Sequence, residues 1–216
     1  MPQIEPQIDL AALREEYGRA GLDEGDLAWD PIVMFEGWMR TALAAGLHDP
    51  NAMVLATVDA DGAPSSRMVL LKGLSPAGFV FFTNTGSRKG MELAANPRCA
   101  LLFPWHPLER QVRVDGVATP LPAADVEAYF AVRPRGSKLG AWASHQSRVT
   151  TREELADALA AAEARYPDEV PVPEEWGGYV VRPHAVEFWQ GRPGRMHDRL
   201  RYRREADHWV TERLAP

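Results

Sequence analysis

The spacing of apolar positions changes character repeatedly along this chain. After Asp30-Pro31, apolar residues recur at three- and four-residue steps through Ile32, Phe35, Trp38, Met39 and Leu43, and Gly46 follows. An aspartate cap, a proline in the first turn and a glycine past the last one predict a helix. From Ala52 the period becomes two. Runs at 53–58 and 66–71, joined by Asp59-Ala60-Asp61-Gly62, predict a hairpin, and a Ser-Pro-Ala-Gly reversal leads to a further strand at 79–82. A helix is expected through Met91, Leu93 and Ala94, and then strands at 99–105 and 109–116. Pro104 puts the end of the first of these at a sheet edge. In the second, Gln111, Arg113 and Asp115 share one face and Val112 and Val114 the other. Residues 122–132 predict another helix, with Tyr129 and Arg133 four apart, and Thr151-Arg152-Glu153-Glu154 has capping-box spacing for a helix to Tyr166. Between them, 135–147 is rich in small and polar residues and reads as a functional loop. Strand-like runs return at 179–181, 185–190, 195–202 and 209–214. Strands joined mostly by tight turns predict a mainly β, α+β chain built on an antiparallel barrel or sandwich. An amphipathic segment at 8–21 precedes all this, so the expected division is an arm at 1–25 and one domain at 26–216.

The 216 residues suffice for a real core, and the composition narrows the partners. With 24 Lys and Arg against 30 Asp and Glu, the formal charge is -6, which argues against a general binder of nucleic acid or anionic membrane. The acidic N-terminal stretch lacks the apolar core of a signal peptide, and no apolar run reaches membrane-spanning length, so the expectation is a cytoplasmic protein. The single cysteine, Cys99, sits in an apolar run, excludes an internal disulfide and reads as a buried strand thiol. No Cys/His spacing resembles a zinc site, and no metal is expected.

Against that acidic background the cations of 67–90 stand out. Arg67 and Lys72 flank one apolar run, Arg88-Lys89 follow the next, and Thr83-Asn84-Thr85-Gly86-Ser87 supplies hydroxyls, free N–H groups and a helix cap. Guanidinium, ammonium and a helix N-terminus converging on one place describe a phosphate site; a hairpin with solvated basic ends fits the stretch equally well. Near the C-terminus, Arg195, His197 and Arg199 would share one face of an extended segment. That favours an anionic ligand, with a solvated polar face as the alternative.

The segments RMVLLK, TNTGSRK, LLFPWHPLERQVRVDG, QS, EFWQG, RMHDR and ERLAP, in this order and at these spacings from about Leu10 to Pro216, resemble the pyridoxine (pyridoxamine) 5'-phosphate oxidase family. The resemblance implies an FMN-binding split barrel that works as a homodimer with the flavin at the subunit interface. It implies flavin contacts from Arg67, Met68, Val69, Leu70, Leu71, Lys72, Phe82, Thr83, Arg88, Lys89, Gln111, Gln146, Ser147, Trp189 and Arg199. Arg67, Arg88 and Lys89 match the FMN phosphate region, and Phe82 stands where a relative can have tyrosine. For the substrate it implies a phosphate pocket of Lys72, Tyr129, Arg133 and Ser137, with Arg195, Met196 and His197 around the pyridine ring. Arg14, Glu15, Glu16 and Tyr17 match an arm over the occupied site, and Arg195 and His197 are the implied catalytic pair. Gly21-Leu22-Asp23-Glu24 departs from the pattern, being acidic where some relatives carry arginines, which counts against a secondary product site.

The implied reaction oxidises the C4' carbon of pyridoxine or pyridoxamine 5'-phosphate to the aldehyde, with O2 as acceptor. The alternatives are another split-barrel flavin reductase, or a non-catalytic FMN- or pyridoxal-phosphate-binding protein. A reductase would have no reason to keep Tyr129, Arg133, Ser137 and the RMHDR segment together.

Overall fold

A computed structural model describes residues 17–18 and 21–216; most of the expected arm at 8–21, with its Arg14, Glu15 and Glu16, lies outside the described residues. Asp30 caps α1 (Pro31–Ala44) as its sequence predicts, its carboxylate accepting from the Ile32 N–H at 2.7 Å. The helix ends before Gly46, which takes a left-handed φ of 69°. Its buried face carries Ile32, Met34, Phe35, Trp38 and Ala42. Phe35 meets Phe79 and Phe103 edge-on at 5.0 and 4.7 Å, so the helix packs its aromatic stripe onto the strands that carry those rings.

The strands are β1 (Ala52–Val58), β2 (Pro64–Leu70), β3 (Gly73–Ser75), β4 (Gly78–Asn84), β5 (Arg98–Trp105), β6 (Arg110–Pro120), β7 (Trp176–Gln190), β8 (Asp198–Glu205) and β9 (His208–Arg213). Their order is β2-β1-β5-β6-β7-β4-β3, with β8 on β7 and β9 on β8, and every pairing is antiparallel. Only Leu71 and Lys72 separate β2 from β3, so two residues join the opposite ends of the strand path. The Leu71 N–H donates to Asn51 O and the Lys72 N–H to Val80 O, both at 2.8 Å, which holds the curled sheet together at that seam. This is an antiparallel half-barrel with flanking helices. Its core side carries Met53, Leu55, Phe79, Phe81, Leu101, Phe103, Val112, Val114, Val186, Phe188 and Leu200, all fully buried.

Several predicted elements differ from those observed. The 66–71 run pairs with β1, as a hairpin should, but the partner of β4 is the short β3 that follows it. Pro104 lies in an interior strand; it sits beyond Ala100–Leu102, the stretch of β5 that β1 covers, so its missing N–H interrupts no ladder with β1. The runs at 179–181 and 185–190 are one strand, because β6 pairs along both. Residues 135–143 are helical: α4 (Arg135–Ala143) follows Pro134 and packs Leu139 with Phe130 of α3 (Ala123–Ala131), Ala162 of α5 (Arg152–Arg165) and Val170. Small residues there mark a helix with an open face. The 195–202 strand starts only at Asp198. A 3-10 turn at Pro193–Arg195 precedes it, with Gly194 and Arg195 at left-handed φ of 63° and 61°, so alternation does not put Arg195 and His197 on one strand face.

Cys99 is a half-buried strand thiol, and burial pushes its pKa up to about 12. No helix of the described residues is long and apolar enough to cross a membrane.

Helix α2 (Arg88–Ala95) starts on Ser87, whose hydroxyl accepts from the Gly90 N–H at 3.3 Å and donates to Asn84 O at 2.6 Å. Gly90 packs so close to the Thr85 carbonyl that a Cβ there would clash with backbone. Gly90→Ala should therefore displace the Arg88-Lys89 turn and cost about 2 kcal/mol or more, read as a lowered thermal midpoint. An unchanged midpoint would mean that the turn yields freely.

Candidate active site

A cavity of about 790 Å³ opens beside the hairpin edge and the start of α2. Residues from β2, β4, α2, α3, α4 and the 144–147 turn line it, among them Arg67, Met68, Val69, Leu70, Lys72, Phe82, Thr83, Arg88, Lys89, Tyr129, Arg133, Ser137, Gln146 and Ser147. Leu71 points instead into the core.

Cations occupy two regions of this wall. In the first, the Arg67 guanidinium donates to Thr57 Oγ1, to Ser65 Oγ at 2.6 Å and to Glu92 Oε2 at 3.2 Å. Arg88 donates from Nε to Glu92 Oε1 at 2.7 Å, and its N–H donates to Ser147 Oγ at 3.2 Å. The Lys89 ammonium is buried and donates to Thr83 Oγ1, Ser87 Oγ and Gln146 Oε1 at 3.1, 3.1 and 2.8 Å. Burial, and next the charge of Arg67, pull its pKa down to about 8, with Glu92 working the other way. Burial pushes the Glu92 carboxyl up, but hydrogen bonds from Thr57, Ser65, Arg88 and Arg67 outweigh it and hold the pKa at about 2.

In the second region, Arg133 lies over the Trp176 ring at 4.2 Å and donates from Nη2 to Ser137 O at 3.0 Å. Among the described residues its buried Nε has no acceptor, and neither has the buried Trp176 Nε1. Tyr129 stacks face to face on Phe82, with centroids 3.8 Å apart and planes 9° apart. Phe82 therefore orients Tyr129 without any hydroxyl of its own. Lys72 also lines the cavity.

The remaining candidates form a separate group. Gln111, Trp189 and Arg199 sit in one register row across β6, β7 and β8, opposite in facing to the buried row Val112, Phe188 and Leu200. His197 lies 4.6 Å from the Trp189 ring, and Tyr17 meets both rings edge-on at 5.7 and 5.3 Å. The Arg192 N–H donates to His197 Nδ1 at 3.1 Å, which leaves Nε2 to carry the proton of a neutral ring. Arg199 is committed to a bidentate pair with Glu187 at 2.7 and 3.0 Å and to Ala215 O at 2.8 Å. Met196 and His197 line a smaller hollow of about 400 Å³ with Asp198 and residues 213–216; it shares no lining residue with the first cavity. Arg195 lines neither.

Comparison with known proteins gives this arrangement a family. The pyridoxamine 5'-phosphate oxidase profile matches residues 39–190, and the pyridoxine 5'-phosphate oxidase C-terminal dimerisation region matches 176–216. The chain belongs to the pyridoxamine 5'-phosphate oxidase family. A Nocardioides protein named pyridoxine/pyridoxamine 5'-phosphate oxidase is 76% identical over 210 residues, covering 97% of this chain and 99% of its own. One of the same name from Salinibacter ruber is 56% identical, covering 96% and 99%. Among solved structures, PhzG from Burkholderia lata, in complex with tetrahydrophenazine-1-carboxylic acid, superposes with a TM-score of 0.85 at 33% identity over 89% of this chain and 95% of that one. An FMN-binding protein of Nostoc punctiforme shares the fold, with a TM-score of 0.69 at 19% identity over 88% and 100%. The oxidase-named relatives support an oxidoreductase, the family points to a flavin cofactor, and the C-terminal region supports a homodimer.

Glu92 and Trp176, like Thr57 and Ser65, were not singled out from the sequence. Glu92 is four residues from Arg88, a helical ion-pair spacing that could have flagged it. Trp176 carries no local signal, because its partner Arg133 is remote in sequence.

The Lys89 environment is directly measurable. In a proton titration followed by NMR at Nζ, Lys89 should ionise near pH 8, and Arg67→Met should move it upward. A Lys89 that titrates in the ordinary lysine range would show its ammonium to be solvated.

Proposed function

We propose that this protein is an FMN-dependent oxidase that converts pyridoxine and pyridoxamine 5'-phosphates to pyridoxal 5'-phosphate. The carrying observation is one cavity whose wall holds a cationic cluster at Arg67, Arg88 and Lys89 and a separately held guanidinium at Arg133, with Lys72 also in the wall, which suits two phosphorylated ligands. The volume and donor set fit FMN: a helix N-terminus and two guanidiniums for its phosphate, and the β2 edge for its ring system. Bound there, FMN would accept a hydride from the substrate C4' carbon and return the electrons to O2. The alcohol and O2 then give aldehyde and hydrogen peroxide; the amine also consumes water and releases ammonia.

The chain's own groups hold and orient the reactants. Lys72, Tyr129, Arg133 and Ser137 grip the substrate phosphate and set its register. Arg195 and His197 orient the pyridine ring, and His197 offers its Nε2–H to a ring substituent. Arg195 acts as a donor, not a base, because a guanidinium offers only N–H donors. Tyr17, docked on Trp189 and His197, closes this group from the N-terminal side. The Trp189–His197 group shares no residue with the cavity wall, and Trp189, Arg195, His197 and Arg199 all fall within the dimerisation region. We therefore assign each flavin the cavity of one subunit and the Trp189–His197 group of its partner copy.

The similarity to PhzG raises a second reading, oxidation of a tricyclic carboxylic acid. The Arg133 region, with a buried guanidinium nitrogen lacking an acceptor among the described residues, favours the phosphorylated substrate.

Anaerobic addition of pyridoxamine 5'-phosphate to the FMN-loaded protein should bleach the flavin band, and air should restore it with release of hydrogen peroxide. Arg133→Leu should raise the apparent KM about tenfold or more with little change in kcat, whereas His197→Asn should lower kcat. A band that bleaches only with a tetrahydrophenazine acid would establish the second reading instead.

A further inference from the structure

We propose that Glu92 is a positioning residue for the flavin phosphate, a hidden carboxylate that fixes the two guanidiniums which grip it. This rests on the FMN reading of the cavity. Glu92 is not part of the cavity wall; its side chain is 4% exposed, behind Arg67 and Arg88. Every short contact it makes leads to that wall. Oε2 accepts from Thr57 Oγ1 at 2.5 Å, from Ser65 Oγ at 2.7 Å and from Arg67 Nη2 at 3.2 Å. Oε1 accepts from Ser65 Oγ at 3.0 Å and from Arg88 Nε at 2.7 Å. The same two hydroxyls accept from the two arms of the Arg67 fork, Nη1 on Thr57 and Nη2 on Ser65. Thr57 and Ser65 are register partners across β1 and β2, so the hairpin itself sets the hydroxyl spacing that the planar guanidinium needs.

The result is a closed circuit in which fork, hydroxyl pair and carboxylate leave Arg67 a single orientation. Two effects follow. The carboxylate removes part of the repulsion among Arg67, Arg88 and Lys89, which crowd one half-buried place. It also removes side-chain freedom before the ligand arrives, so less is lost on binding.

Because Glu92 acts through the arginines, its removal should be felt by the phosphate and not by the ring. The experiment titrates FMN and riboflavin separately into the apo form of the full-length protein, following quenching of flavin fluorescence, for parent, Glu92→Leu, Glu92→Gln and Thr57→Val. The parent should prefer FMN strongly. Glu92→Leu should lose about tenfold or more in FMN affinity while riboflavin binding stays within about twofold. Glu92→Gln, which keeps one acceptor for the guanidiniums, should recover most of the preference. Thr57→Val, nearly the same in shape, should lower the preference in the same direction, and it decides the matter if the leucine variant does not fold. An unchanged FMN-to-riboflavin ratio in the Leu or Val variant, or equal loss of both flavins, overturns the proposal by making Glu92 a bystander or a plain structural residue. A parent that binds neither flavin, or both alike, overturns the FMN reading of the cavity itself, and the proposal with it.

Discussion

Strand β7 has to satisfy three partners along fifteen residues. Residues 176–181 pair with β4, residues 185–190 pair with β8, and β6 runs along the other edge from 179 to 190. The changeover falls at Pro183, which has no N–H to donate and lies between Val181, where pairing with β4 stops, and Ala185, where pairing with β8 starts. Opposite it, the β6 register breaks between Asp115 and Gly116, and Gly116 is close enough to Arg182 O that a Cβ would collide with it. One bend therefore divides the strand into a half that carries Trp176 beside the cavity and a half that carries Trp189 beside His197. The separation of the two site groups is a property of this strand.

Within the cavity the governing cost is electrostatic. Three cations share the start of α2, and the depressed ionisation of Lys89 is the visible sign of burial and crowding. The structure offsets this with a buried carboxylate, four hydroxyls and an amide oxygen. Around Arg133 the device differs. Among the described residues Arg133 has no carboxylate partner, and it is held by the Trp176 face, which orients a guanidinium without neutralising it. An anchor built this way keeps its full charge for an anion.

The fold was largely legible in the sequence because its signals are local. The Asp30, Ser87 and Thr151 caps, the Asp59–Gly62 turn and the alternation of 109–116 each depend on neighbours within a few residues. The failures share a different cause. Helix α4 was masked because glycine, serine and alanine look like loop until Leu139 has α5 and Val170 to pack on. The 195–197 segment alternates like a strand, but its backbone turns at Gly194 and Arg195, and His197 reaches Trp189 from that turn. Glu92 and Trp176 matter only through partners supplied by other elements, so no window of sequence contains the argument for them. Resemblance to a family supplied residue names for the site, while the geometry supplied their grouping into two clusters.

That grouping bears on how such a site can be specific. A heterocycle stacked on a flavin ring has little directional bonding, so its register has to come from elsewhere. Two cationic regions, one on the β2 hairpin and α2 and the other between α3 and α4, stand on separate packed elements of one chain. Under the proposed reading each would fix one end of its ligand, and their spacing would fix one ligand relative to the other. Discrimination then falls on the phosphate, where an unmatched guanidinium stacked on Trp176 is costly, and not on ring contacts worth far less. A fold of this kind can exchange the ring it processes by changing the Trp189–His197 group while the anchors stay where the barrel puts them.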